Sequence, residues 1–163
     1  MCADFNYNDF EQTINMHVDN SKTAKHLKYP DGSVYFGEIT ENSKKNGIGY
    51  MIYPNQDKYL GYWELDRAHG KGVLIRTNRD KYQGEFCNGL KHGKGTQYNV
   101  TSESTYEGGW VNGLKHGEGK NSFKDNSLYT GGFKNNCKYG YGEYIYTDGT
   151  QIKGFWKKDV IIG

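Results

Sequence analysis

From Tyr35 onward, large apolar side chains fall at every second position in short runs separated by polar segments, the period of a strand and not of a helix. Tyr35, Tyr59, Tyr82, Tyr106 and Tyr129 recur at intervals of 24, 23, 24 and 23 residues, and Ile152 takes the next place after a further 23. Two residues after each stands a glycine (Gly37, Gly61, Gly84, Gly108, Gly131, Gly154), and two further on a large apolar residue (Ile39, Trp63, Phe86, Trp110, Phe133, Trp156). A Gly-x-Gly pair then opens a second run in five units, from Gly47/Gly49 to Gly140/Gly142. Its continuation puts Met51, Tyr53, Leu74, Phe123, Tyr144 and Tyr146 on the parity of the glycines.

The pattern predicts a β-hairpin per unit, with polar segments such as Asn88–His92 inside the hairpins and turns such as Pro30-Asp31-Gly32 and Thr147-Asp148-Gly149 between them. A lone hairpin is marginal in water, so the units must pair edge to edge. The fold class expected is all-β: an elongated single-layer antiparallel sheet of tandem hairpins, about twelve strands wide, with its rings on one face. Residues 35–163 carry five full units, a partial sixth and a C-terminal cap, 25–34 a degenerate half unit, and 1–24 an arm outside the repeat. In that arm Phe10, Ile14 and Val18 recur at i, i+4 and i+8, leaving open a short helix over Asp9–His17 or a mobile arm. Extra residues before Gly47 and after Gly95 predict an altered hairpin loop in the first unit and a bulge or long turn in the third. The tail Val160, Ile161 and Ile162 reads as a capping strand or a contact for another chain.

Composition sharpens the picture at one point. Of 163 residues 23 are glycine and 2 proline, while 15% are aromatic. That excludes collagen, flexible linkers and disordered chains, and the scarcity of Val, Ile and Leu argues against a parallel α/β core. Glycine inside strands costs conformational entropy, so its recurrence beside rings implies that the rings lie flat on backbone.

The net charge of +2 gives no bulk attraction for nucleic acid. Its placement matters more: Lys44, Lys45, Arg67, Lys71, Lys91, Lys94, Lys115 and Lys138 gather at the hairpin-loop edge against Glu41, Asp66 and Glu118, a basic rim that suits anionic headgroups or an acidic protein. Lysines at hairpin tips also simply keep edges soluble. Gly89–Thr96 fails the spacing of a nucleotide loop. The histidines His69, His92 and His116 come one per unit, two strands apart, too far to share a metal ion. No nucleophile, base and orienting group converge, so neither an enzyme nor a cofactor is expected. Three cysteines without CxxC spacing, no signal-like segment and no long apolar run point to a cytoplasmic protein.

Tyr106-x-Gly108-x-Trp110 followed by Asn112-Gly113-Leu114-Lys115-His116-Gly117-x-Gly119 resembles the MORN (membrane occupation and recognition nexus) repeat, and its recurrence covers Tyr35 to Trp156. The resemblance implies a curved sheet with an aromatic groove. On this reading Tyr35, Tyr59, Trp63, Tyr82, Phe86, Tyr106, Trp110, Tyr129, Phe133 and Trp156 line a groove for a helix or extended segment of a partner protein. Similar proteins serve ciliary radial spokes, parasite cytoskeletons and motor adaptors, which implies a cytoskeletal or ciliary setting. The alternative, implied by junctophilins and plant phosphatidylinositol phosphate kinases, is a peripheral module that binds acidic phospholipids through the basic rim. Pairing of two copies through the end strands is a further expectation.

Overall fold

A computed structural model describes Gln12 and residues 23–163. Apart from Gln12, which is helical and exposed, the helix expected over Asp9–His17 lies outside the described residues. Thirteen antiparallel strands form one open sheet whose spatial order is the chain order: β1 (Ala24–Lys28), β2 (Val34–Ile39), β3 (Lys45–Ile52), β4 (Lys58–Glu64), β5 (Arg67–Ile75), β6 (Lys81–Cys87), β7 (Leu90–Asn99), β8 (Ser104–Val111), β9 (Leu114–Ser122), β10 (Leu128–Lys134), β11 (Cys137–Ile145), β12 (Gln151–Lys157) and β13 (Val160–Ile161). The fold is the single sheet of tandem hairpins that the two-residue period predicts.

The two edges of the ribbon turn differently. Within hairpins, two residues with positive φ suffice, as at Asn88-Gly89 (50° and 83°) and Asn135-Asn136 (51° and 72°), the geometry whose twist matches that of the strands it joins. Leu90, Lys91 and His92, expected in the loop, therefore belong to β7. The first full unit departs as anticipated, with a five-residue loop 40–44 between β2 and β3. Between hairpins the connections are longer and held by side chains: Asp125 Oδ1 accepts hydrogen bonds from Ser127 N at 2.9 Å and Ser127 Oγ at 2.6 Å.

The extra residue after Gly95 makes neither a bulge nor a long turn. It lengthens β7 to ten residues, paired with β8 in unbroken register from Gly93↔Trp110 to Asn99↔Ser104, because lengthening both strands keeps every ladder bond. Bulges occur elsewhere, inside each of the five hairpins from β2–β3 to β10–β11, as between Gly61 and Trp63. They separate the roles of the Gly-x-Gly pair. Gly70 has φ +68°, the left-handed conformation that the bulged strand requires, whereas a Cβ on Gly72 would lie 2.5 Å from the Tyr59 hydroxyl.

The second glycine of each pair and the glycine of each Tyr-x-Gly stand opposite one another, so that one row runs Gly37, Gly49, Gly61, Gly72, Gly84, Gly95, Gly108, Gly119, Gly131, Gly142 and Gly154 from β2 to β12. The tyrosines lie over this row. β13 closes the far end by pairing Trp156 with Ile161, and its Val160 is exposed.

Candidate partner-binding face

The ten rings expected to line a groove form one continuous stack. From Tyr35 through Trp63, Tyr59, Phe86, Tyr82, Trp110, Tyr106, Phe133 and Tyr129 to Trp156, successive centroids stand between 4.9 and 5.5 Å apart with ring planes crossed at 80–90°. Edge-to-face contact places the positive ring edge on the negative face of the next, worth about 0.5–1.5 kcal/mol per pair beyond burial. Each tyrosine belongs to one hairpin and its ring touches the large ring of the following unit, and from Tyr59 onward that of its own unit as well, so the stack bonds unit to unit.

The polar atoms of the stack are satisfied. The hydroxyl of Tyr106 donates to the Gly109 carbonyl at 2.9 Å, with the equivalent bond at Tyr35, Tyr59, Tyr82 and Tyr129, and Trp63 Nε1 donates to the Gly49 carbonyl at 3.2 Å. Burial pushes the phenols upward, to about 12 for Tyr106 and Tyr129, with Glu118 adding repulsion. All ten rings are buried, at 0–7% exposure. A one-layer sheet thus manages on this face what a second layer does elsewhere, and the rings form the floor of the face and not its contact surface.

What covers them is lysine. Lys91 Nζ lies 4.9 Å from the Tyr82 centroid and 4.7 Å from that of Trp110; Lys115 Nζ lies 4.5 Å from Tyr106, and Lys138 Nζ 4.6 Å from Trp156. Lys45 stands over Tyr29, Tyr35 and Trp63 and pairs with Asp66 at 3.4 Å. The stems shield the rings while the ammonium groups meet their negative faces. Burial drives the Lys91 ammonium down to about 8, and those of Lys115 and Lys138 also downward.

The structure does not bring the eight basic residues together. Lys45, Lys91, Lys115 and Lys138 fold onto the rings, Lys71 and Lys94 line the opposite face, and Lys44 and Arg67 project into solvent. Strand alternation divides them: the ring-facing four sit two residues before the first glycine of the Gly-x-Gly pair, whereas Lys71 and Lys94 sit between the two glycines. Counting back by two from that glycine is the sequence signal that distinguishes them.

Two features of the opposite face escaped the sequence reading. At its N-terminal end Leu60 is buried against Ala24, Phe36, Ile48 and Tyr50. Farther along, an open trough of about 1150 Å³ is floored by Gly72, Gly84, Gly95, Gly108 and Gly119 and lined by alternating charges such as Glu107 and Lys120. The positions beside the glycine row carried the signal: Phe36 and Leu60 early, Gln83, Glu107 and Thr130 later.

His69 approaches Glu64 at 3.3 Å, and His92 Nδ1 is buried without a hydrogen-bond partner. No group of three metal-ligating side chains assembles among the described residues, and no described helix is long and apolar enough to cross a membrane. The free thiols Cys87 and Cys137 are half-buried.

The fold and its ring stack define a tandem β-hairpin repeat protein. The MORN repeat family model matches residues 35–58, 59–81, 82–100, 106–127 and 129–151, and the chain belongs to the MORN-repeat family. No curated protein matches its sequence. Among solved structures it is similar to the TCP10c domain of Sas-4 from Drosophila melanogaster (13% identity over 85% of this chain and 96% of that one, TM-score 0.35) and to the TCP domain of the same protein in complex with a proline-rich motif of Ana2 (14% identity over 81% and 78%, TM-score 0.32). The TCP10 domain of CPAP from Danio rerio in complex with a STIL peptide is 10% identical over 81% of this chain and 83% of that one, with a TM-score of 0.19. With scores this low, none of these likenesses bears on function.

Proposed function

We propose that the chain is a non-enzymatic scaffold whose ring-bearing face holds a helix or extended segment of a partner protein. The observation that carries this reading is a continuous floor of rings over which lysine stems and half-buried side chains such as Tyr53, Leu74, Phe123 and Tyr144 are laid. A sheet without a second layer leaves such a face open along its length, and rigid aromatic surfaces with cations at their rim favour polypeptide contacts. The partner meets the lysines and these half-buried side chains, and the ten rings act by holding the surface flat. The family resemblance supports a cytoplasmic, cytoskeletal or ciliary assembly as the setting. The same reading keeps residues 1–24 as an arm, 25–34 as a half repeat and 35–163 as the array, and lets two copies pair through the edge strands β1 and β13, which sedimentation checks.

Acidic phospholipid binding takes second place, favoured by the four of the eight rim cations that lie off the ring stack, Lys44, Arg67, Lys71 and Lys94. Flotation with phosphoinositide vesicles tests it; salt-sensitive binding lost in a Lys71→Glu/Lys94→Glu variant is the supporting outcome. Photo-cross-linking tests the first reading. A benzophenone side chain at Asn55 or Gln97, on the ring face, captures a polypeptide in the native cell, and one at Glu107 or Lys120, in the trough, does not. Capture from the trough alone overturns it.

A further inference from the structure

The lysine row has a gap. Lys45, Lys91, Lys115 and Lys138 occupy one structural position, opposite the large apolar residue of the preceding strand, in the pairs Ile39↔Lys45, Phe86↔Lys91, Trp110↔Lys115 and Phe133↔Lys138. In the second unit the pair is Trp63↔Ala68. Alanine has no stem to lay over the rings. In its place a recess of about 400 Å³ opens, and Tyr59, Phe86, Leu74, Tyr53 and Asp57 contribute to its walls together with Ala68.

The chemistry of the missing occupant can be read from the neighbouring units. Lys91 Nζ lies between Tyr82 of its own unit and Trp110 of the next, and Lys115 Nζ between Tyr106 and Phe133. The corresponding rings of the second unit are Tyr59 and Phe86, crossed at 84° with centroids 5.0 Å apart, the same geometry as the occupied pairs. Lys91 and Lys115 also donate from Nζ to Gln97 Oε1 and, at 2.9 Å, Asn121 Oδ1, which stand opposite Tyr82 and Tyr106. Opposite Tyr59 stands Leu74, which offers no acceptor but suits an alkyl stem. The recess has its polar group elsewhere, in Asp57, whose Oδ1 accepts from Thr77 N at 2.9 Å and Thr77 Oγ1 at 3.0 Å. Partial burial pushes the Asp57 carboxyl up, but these bonds, together with Asn55 and the nearby charge of Arg76, outweigh it and hold it below its ordinary value, so it is a carboxylate at neutral pH.

We infer that the recess at Ala68 is a receptor for one lysine side chain of a partner polypeptide, with its stem on Leu74, its ammonium over Tyr59 and Phe86, and Asp57 as counter-charge. The partner supplies in trans the side chain that four other units supply in cis. The inference rests on the ring-bearing face being the partner face, and it names the chemistry that fixes the partner's register there. A cation desolvated between two rings and beside a carboxylate gains over an apolar isostere of the same length.

The full-length protein, labelled at methyl and aromatic positions, is titrated with a capped pentapeptide carrying a single central lysine and with its norleucine counterpart, and followed by NMR. The lysine peptide is expected to shift the Ala68 methyl and the ring resonances of Tyr59 and Phe86, and to bind about tenfold more tightly than norleucine, as a cation–ring contact beside a carboxylate implies. Ala68→Lys, a residue the same position accommodates in four units, should fold and abolish the shifts, and Asp57→Asn should weaken them severalfold. Equal binding of the norleucine peptide, or lysine-peptide shifts that persist in Ala68→Lys, overturns the inference. The cross-link at Gln97 separates the two levels: capture there without lysine preference at Ala68 defeats the receptor and leaves the partner face, and absence of capture from Asn55 and Gln97 defeats the face.

Discussion

Two glycines of one hairpin are held in place by different constraints. A Cβ on Gly108 would stand 2.6 Å from Gly119 Cα and 2.7 Å from the Glu118 carbonyl oxygen, both backbone, so nothing flexible can yield. Gly108→Val should therefore cost about 3 kcal/mol or more, at the upper end of overpacking penalties, and lower the urea midpoint accordingly. Gly113, at φ +84° in a hairpin turn, has nothing within 4 Å of its would-be Cβ. There the backbone angle is the constraint, and Gly113→Asn should stay within about 0.5 kcal/mol of wild type because asparagine tolerates that region. If both variants melt like wild type, the account of glycine as space for rings fails. The need for space was legible in the sequence, because glycines and rings share a parity. The division of labour within Gly-x-Gly was not, since a bulge shifts register by one residue and spacing alone does not reveal it.

At the scale of the hairpin, each two-residue turn clasps the preceding unit. Asn136 N donates to the Lys115 carbonyl at 3.1 Å, and Lys115 N donates back to Asn136 Oδ1 at 2.9 Å. Asp66 with Lys45 and Asp159 with Lys138 repeat the exchange. Where glycine takes the position only the backbone bond remains, as from Gly113 N to the Lys91 carbonyl at 2.8 Å. Asn136→Gly keeps the left-handed conformation and deletes one side-chain bond, so it should cost about 1 kcal/mol. Amide exchange should quicken at Lys115 and not at Lys91; uniform quickening would mean that the clasp is not local. Strand identity and face were readable here because alternation is strict. The open groove expected from the rings was not what the fold delivered: period two tells which face a ring takes, while the crossed stacking and lysine stems that close over it arise only when neighbouring units are in place.

Among the described residues every strand of the sheet pairs only with its neighbours in sequence, so the stability of the array is a sum of like terms, and like titrations add. Five buried phenols, Tyr35, Tyr59, Tyr82, Tyr106 and Tyr129, are all pushed above their ordinary value of 10 by burial first and by neighbouring groups after it. Above pH 10 the unfolded chain releases these protons while the folded one keeps them until about 12 at Tyr106 and Tyr129, so the native state binds more protons and stability falls as pH rises. Lys91 acts in the opposite sense. Its folded ammonium titrates at about 8 against 10.5 when free, so between those values the unfolded chain binds the extra proton and stability rises with pH. Lys115 and Lys138, shifted the same way, add to the rise. Urea midpoints measured from pH 7 to 11.5 should therefore climb gently past pH 8, peak near pH 10, and drop steeply beyond it. Lys91→Met should flatten the climb without touching the drop, and Tyr59→Phe should make the drop shallower. A midpoint that declines steadily from pH 8 would show that contact with the rings holds the lysines charged against their burial, and would make the lysine row a stronger clamp on the sheet than its burial implies.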